Sequence, residues 1–584
     1  MKNTSFILLL SFIILCSSCN KEYLNRPPSD RLDASQFFNT ATDLEVYTND
    51  FYDMLPDASW YDAYTGSSTS DNVVSLIEPA WITGTRLVPV ARGTGGWTWT
   101  DLRSINFFLQ NYQKCPDEQA KLKYGGIARF FRAFFYFDKV KTFGDVPWYS
   151  TVLSDTDSSL YKARDPRTLV MDSVLADINY AIDNIPAEVQ VNRITKYTAL
   201  LLKARLCLYE GTFRKYHTEL NLENTSDQWL EDAASAAGAL MSSGAYKLFT
   251  AGGPNVCYRT LFARNDQDAT ETILARDYNP SFGRHNLAYL MTSPTQGSLG
   301  ATKDFVNNYL MADGTPFTDI PGYDTLGFYD EMQNRDPRLT QSIAGPNFTV
   351  YGETTVEPVN LNITTTGYRV IKALPTRDQW GGSSSYNDII LFRYAEALLD
   401  YAEAKAELGT LTQADLDKSI NLLRDRVGMP HTDLATDNLA PDPYLAAEYP
   451  NVTGINKGVI LEIRREQRIE MFNEGLRWDD LMRWKDGKKL EQPMLGIYFS
   501  HLGAFDFNND RKPDVYLYNG DPSGAPAGVS TKINIKQRPL TNGTSGNLYP
   551  YRNQIIFEEP KDYYYPIPLE DLTLNSKLTQ NPGW

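Results

Sequence analysis

Residues 459–484, VILEIRREQRIEMFNEGLRWDDLMRW, interleave apolar positions (Val459, Ile463, Ile469, Met471, Phe472, Leu476) with dense Arg and Glu. The spacing predicts an amphipathic helix broken at Gly475, then a second short helix to Trp484. Helical periodicity recurs elsewhere. Ile127, Phe130, Phe134, Phe137 and Val140 fall at steps of three and four, with Ala128 and Ala133 small enough to admit a neighbouring helix. Two runs follow at 167–185 and 193–210, the latter with Leu202, Leu206 and Tyr209 on one face and Gly211 as its expected terminating glycine. A run at 227–243 stops before Gly244. Leu391, Ala395, Leu398, Ala402 and Ala406 form a stripe ending at Gly409, and 413–427 continues as a helix. Paired helices of this size with alternating large and small faces resemble tetratricopeptide units, although internal repetition is poor and generic amphipathic helices fit the periodicity equally well.

Between the helical blocks the periodicity disappears. Residues 56–99, 245–385 and 490–584 are rich in Gly, Pro, Asn, Thr and aromatics. The expectation is a mainly α fold: a tetratricopeptide-like helical scaffold with a second, loop-rich, irregular face and few short strands. The expected divisions are a signal peptide at 1–18, a lipid-anchored tether at 19–34, an N-terminal helical region with aromatic loops at 35–244, and a C-terminal region at 245–584 containing helices 387–427 and 457–484.

The first residues set the expected address. Lys2 precedes an apolar run from Phe6 to Leu15, interrupted only by Ser11 and too short to span a bilayer, and Ser17 and Ser18 precede Cys19. That order looks like a bacterial lipobox with Cys19 as the lipidated residue. Cys115, Cys207 and Cys257 then remain, an odd number in no zinc spacing, so a disulfide framework is not expected. The 72 Asp and Glu against 56 Lys and Arg give a net charge of −16, which argues against nucleic-acid backbones.

Catalytic motifs are missing: four His lie in no metal-binding spacing, and no nucleophile elbow, P-loop or dinucleotide fingerprint occurs. Glu462, Glu466, Glu470 and Glu474 recur every fourth residue, a row that could hold metal or do acid–base work. No His accompanies them, and Arg464, Arg465, Arg468 and Arg477 are interleaved, so an ion-pair lattice pinning the helix is the expectation. Asp506, Asn508, Asp510 and Asp514 take positions 1, 3, 5 and 9 of a calcium loop, but Arg511 replaces its glycine and Leu517 its terminal Glu. Both a calcium site and a polar turn fit.

Binding is expected at aromatics. A saccharide offers C–H faces and a ring of hydroxyls, so its site needs flat rings flanked by planar polar groups. Trp60, Tyr61, Tyr64, Trp81 and Trp97 lie near Asp71, Asn72, Arg86 and Arg92, while Tyr278, Phe282 and His285 form a second zone.

Six segments in order resemble the SusD/RagB family of surface nutrient-binding lipoproteins: ARFFRAFFYFDKVKTFGDVPW (128–148), TKYTALLLKARLCLYEG (195–211), RDPRL (335–339), LFRYAEALLDYAEA (391–404), EQRIEMFNEGLRWDDLMRW (466–484) and YYYPIPLEDLTLNSKLTQNPGW (563–584). The resemblance implies a tetratricopeptide-like scaffold, a glycan-facing loop surface and no catalysis. It further implies anchorage at the outer-membrane surface and a TonB-dependent β-barrel transporter (SusC-like) as partner. Peptides are the alternative ligand, and a surface glycoside hydrolase the remaining alternative.

Overall fold

The computed structural model describes residues 37–58, 70–80, 83–154 and 156–584. The signal peptide, Cys19, the tether, Trp60, Tyr61, Tyr64 and Trp81 lie outside the described residues.

The principal helices are α1 (Ala41–Asn49), α2 (Thr100–Asn111), α3 (Glu118–Phe143), α4 (Arg167–Asn184), α5 (Lys196–Tyr216), α6 (Ser226–Ser242), α7 (Tyr394–Glu407), α8 (Ile420–Val427), α9 (Lys457–Glu470), α10 (Arg477–Arg483) and α11 (Leu569–Leu574). They pack as successive hairpins, α3 on α4 and α5 on α6, with α7 laid across α5 and α6 and touching α9. This is the helix-pair scaffold the periodicity predicts. Close approach is set by glycine rather than by Ala128 and Ala133 alone: a Cβ on Gly126 would stand 2.8 Å from Ile185, and one on Gly125 2.7 Å from Tyr112. Gly211 corrects its expected role. α5 runs through it to Tyr216, and its missing side chain lets Leu230 of α6 come within 2.8 Å of where a Cβ would be. Gly244 and Gly409 do follow their helices, each at positive φ.

The strands are short: β1 (Val73–Val74), β2 (Thr272–Arg276), β3 (Gly300–Ala301), β4 (Ile389–Arg393), β5 (Tyr498–Phe499), β6 (Gly503–Phe505), β7 (Val515–Tyr518), β8 (Thr531–Asn534) and β9 (Gly546–Asn547). β1 pairs with β3, β2 with β4 and β5 with β9, while β6–β7–β8 form a three-stranded sheet with an antiparallel and a parallel edge. Leu391, expected on the α7 stripe, belongs to β4. The expected 413–427 helix is two, Gln413–Asp417 and α8, because Ser419 turns out of helical geometry and its hydroxyl donates to the Asp415 carbonyl at 2.5 Å.

Two apolar cores result. One gathers α1 to α7; the other gathers the loop-rich half, including Phe305, Tyr368, Phe507 and Val515. α9 joins them, giving Val459, Leu461 and Ile463 to the first core and Ile469 to the second, followed by Phe472. β4 does the same with Phe392 and Ile389.

The charged row lies in this seam, Glu462, Glu466 and Glu470 on α9 and Glu474, expected on the same helix, in the turn that follows its end at Glu470. Glu470 accepts from Arg426 (2.5 Å), Arg393 (2.6 Å) and Arg338 (3.1 Å), and Glu474 pairs with Arg393 (2.7 Å) and Lys372 (2.5 Å). Arg424 reaches Glu462 and Glu466, both at 3.2 Å. Burial opposes ionisation of Glu470, but Arg426, Arg393 and Arg338 overcome it and hold its carboxyl well below the usual range. The predicted lattice exists, yet it is an interior structure rather than a helix surface: Arg464, Arg465, Glu466, Arg468 and Glu470 are all buried. Such ions tolerate burial only because each finds counter-charges and hydrogen bonds.

Candidate functional site

A cleft of about 470 Å³ opens where three remote segments meet: the 92–106 stretch running into α2, the 147–161 loop and the tail around α11. The turn that enters it carries Gly93, Gly95 and Gly96 at positive φ. A Cβ on Gly95 would stand 2.5 Å from Pro89, so the turn closes only around glycine there. Trp97 is thereby driven into the interior (2% exposed), its ring edge-on to Phe143 at 4.9 Å and to Trp99 at 5.3 Å. Trp99, half-buried at the start of α2, meets Tyr149 edge-to-face at 5.8 Å. The Tyr149 backbone N–H donates to the Tyr136 hydroxyl at 2.6 Å, which fixes the 147–149 bend. Burial, with the Asp165 charge added, pushes the Tyr149 phenol up to about 12. Tyr161 stands over the rim, 47% exposed.

The tail completes the wall. The Leu569 and Glu570 N–H groups donate to the Pro89 and Val90 carbonyls, while Arg92 N–H and Gly93 N–H donate to Glu570 and Asp571, each at 3.0 Å. Asn106 and Asn575 are committed to structure, donating to the Tyr149 carbonyl (2.9 Å) and the Lys162 carbonyl (2.8 Å). Arg92 and Arg103 make no ion pair among the described residues; Arg103 holds only the Leu153 carbonyl, at 2.7 Å. The site therefore offers ring faces and edges, the Tyr161 hydroxyl and two guanidinium groups outside any ion pair, Arg92 near Asp571 and Arg103 with donors left beyond the one on Leu153. That is the equipment for a polyhydroxylated ligand.

The sequence-predicted residues divide. Trp97 and Arg92 line the cleft. Asp71 and Asn72, expected on the ligand surface, are buried in the seam. Asp71 accepts from Arg477 at 2.7 Å and Arg468 at 2.9 Å, Asn72 accepts from Arg468 at 2.7 Å, and these arginines, against the cost of burial, hold the Asp71 carboxyl far down. Arg86 is a latch. It pairs with Asp562 at 2.6 Å and lies over Tyr565 and Trp584 at 4.5 and 4.8 Å.

The Tyr278 zone is not part of the cleft. The Tyr278 hydroxyl accepts from Ala58 N–H at 3.1 Å and its ring packs on His285, whereas Phe282 projects outward, 93% exposed. His285 is buried with Nε2 2.9 Å from the Asn387 carbonyl and Nδ1 accepting from Leu287 N–H, an arrangement that suits the neutral ring; burial lowers its pKa to about 4.

Asp506, Asn508, Asp510 and Asp514 cap the β6–β7 turn. Asp506 accepts from the N–H of Asn508, Asp510 and Arg511, Asn508 from Asp510, Asp510 from Lys512, and Asp514 from Phe507. Among the described residues no group of three His, Cys, Asp or Glu side chains is placed to hold a metal ion. Tyr149 and Tyr161 were not anticipated as ligand-facing. Both lie outside the Gly-rich stretches, and only the tertiary path brings Tyr149 onto Trp99 and Tyr161 onto the same cleft.

Comparison with known proteins agrees with the fold. The sequence model of the SusD family matches residues 260–584. SusD-like protein P38 of Formosa agariphila is 25% identical over 531 residues, covering 85% of this chain and 94% of that protein, and SusD-like protein P2 of the same organism is 24% identical over 515 residues, 84% and 92%. Among solved structures, a SusD-like protein from Bacteroides fragilis superposes with a TM-score of 0.69 at 21% identity, over 96% of this chain and all of the other. A SusD-like carbohydrate binding protein from the same species gives 0.67 at 21% identity, over 93% and 100%.

Proposed function

The chain belongs to the SusD family, and from that premise we propose that it is a non-catalytic glycan-binding lipoprotein of the cell surface. It captures oligosaccharides in the aromatic cleft and passes them to a TonB-dependent outer-membrane β-barrel. The observation that carries this reading is the Trp97–Trp99–Tyr149 ring cluster in an open cleft, beside Arg92 and Arg103, neither of which is in an ion pair among the described residues. The carbohydrate-binding description of one structural relative supports it. Glycoside hydrolysis asks for two carboxyl groups about 5 to 10 Å apart; the described cleft wall carries Asp571, which is already engaged by Gly93 N–H. The anchor in this reading is Cys19; among the described residues no helix is long and apolar enough to cross a membrane.

Affinity electrophoresis of the mature chain against a panel of polysaccharides tests the reading. Retardation by at least one glycan is expected, and loss of that retardation in Tyr161→Ala. Retention of peptides with no glycan retardation would replace it.

A further inference from the structure

A second cleft, of about 450 Å³, lies in the loop-rich half, between residues 75–78, 294–298, 362–365 and 537–552. A smaller one of about 280 Å³ adjoins it, and Tyr549, Tyr551 and Arg552 line both, so the two form a single elongated groove around these side chains. The groove is more polar than the aromatic cleft. Flat apolar surface comes from Tyr549 and from Pro294, Pro539 and Pro550.

Its charge is the informative feature. Arg538 donates from Nη1 to the Leu361 carbonyl (2.6 Å) and from Nη2 to the Thr364 and Thr365 carbonyls (2.9 and 3.0 Å). Among the described residues no carboxylate pairs with it, and burial without a counter-charge lowers its pKa to about 10. Arg552 is exposed on the shared wall, again with no ion pair among the described residues. Two carboxylates line the groove and both are engaged elsewhere: Glu78 in the larger cleft accepts from the Asn553 amide at 2.8 Å, and Glu491 in the smaller one accepts from Phe557 N–H at 2.9 Å and pairs with Lys488 at 3.0 Å. Every arginine around Glu470 has its carboxylates; Arg538 has only carbonyl dipoles, which orient a guanidinium without neutralising it.

We propose that this groove is a second saccharide subsite, selective for sugars bearing an anionic group, with Arg538 and Arg552 receiving the anion and Tyr549 receiving a ring face. A carboxylate or a sulfate ester supplies the counter-charge that the protein itself withholds, and the length of the groove suits an oligomer over a free ion. This inference rests on the glycan-binding reading and narrows its ligand class.

The experiment is affinity electrophoresis of the mature chain and three variants, Arg552→Gln, Arg538→Lys and Tyr161→Ala, in gels containing polygalacturonate, a sulfated galactan or a neutral galactan. Arg552 makes no described contact that its loss would break, and Arg538→Lys keeps charge while losing the fork. Expected is retardation by one or both acidic polymers, weakened by roughly tenfold or more in Arg552→Gln and Arg538→Lys, with neutral binding unchanged in both. Loss with polygalacturonate alone identifies a uronate subsite, and loss with the galactan sulfate alone a sulfate subsite. Wild-type indifference to both acidic polymers, or acidic binding unaltered in both arginine variants, overturns the proposal. Neutral binding that is lost in Tyr161→Ala leaves the general reading standing even then.

Discussion

The interior seam and the aromatic cleft use overlapping residue types to opposite ends. In the seam, Arg338, Arg393 and Arg426 converge on Glu470, while Arg468 and Arg477 converge on Asp71, so each guanidinium is paired with carboxylate charge and enclosed. In the cleft, Arg92 and Arg103 stand beside Trp99 and Tyr161 with hydrogen-bonding capacity left over. Density of charge is thus a poor guide to function. Residual capacity is the better one, because a saturated group can only hold the fold together, whereas an unsaturated group on a concave wall gains by taking a ligand.

The contrast breaks most visibly at Glu470. Glu470→Gln leaves three buried guanidinium groups short of charge, and it should destabilise the protein by about 3 to 5 kcal/mol in denaturant unfolding. A change below about 1 kcal/mol would show that the seam is not the join described here.

The next effect is a pH dependence inside the seam. Burial, with the Glu403 charge added, raises Asp480 to about 7 despite Arg483. Its folded pKa lies above the unfolded value, so the native state binds the extra proton. The associated stability is complete below about pH 4 and is lost as pH rises through 7. Asp480→Asn should remove that slope, on the order of 3 kcal/mol between pH 4 and 7, when unfolding free energies of the two proteins are compared across the range. Parallel profiles would contradict it.

On the cleft side, Tyr161→Ala should change stability by less than about 0.5 kcal/mol, since the ring is half exposed. It should nevertheless weaken glycan binding about tenfold, near 1.4 kcal/mol by calorimetry. Smallest of all, Phe282→Ser should leave both melting temperature and cleft binding unchanged, because this ring touches neither core nor cleft despite its exposure.

Much of the scaffold was legible because helix periodicity and family motifs are local signals. The α5–α6 hairpin follows from spacing and the lattice of α9 from interleaved signs, whereas the break expected at Gly475 comes earlier: α9 ends at Glu470, and Met471 to Gly475 form a turn with Asn473 and Gly475 at positive φ. What was not legible depends on contacts far apart in sequence. Asp71 reads as a polar loop residue until Arg468 and Arg477, some 400 residues away, enclose it. Arg86 reads the same way until the tail supplies Asp562 and Trp584. Gly211 carries the signature of a helix stop, yet Leu230 of the neighbouring helix determines its use. The cleft was half visible: Trp97, Trp99 and Arg92 are close in sequence, but Tyr149, Tyr161 and the wall around Asp571 arrive only through the fold.

The most direct test of the central claim, that the aromatic cleft is where glycan is held, is titration calorimetry of the Trp99→Ala/Tyr161→Ala double variant. The ligand is a polysaccharide retained by the wild-type chain, and folding is checked by circular dichroism. The account predicts that the folded double variant loses the binding heat; wild-type affinity in that variant would contradict it.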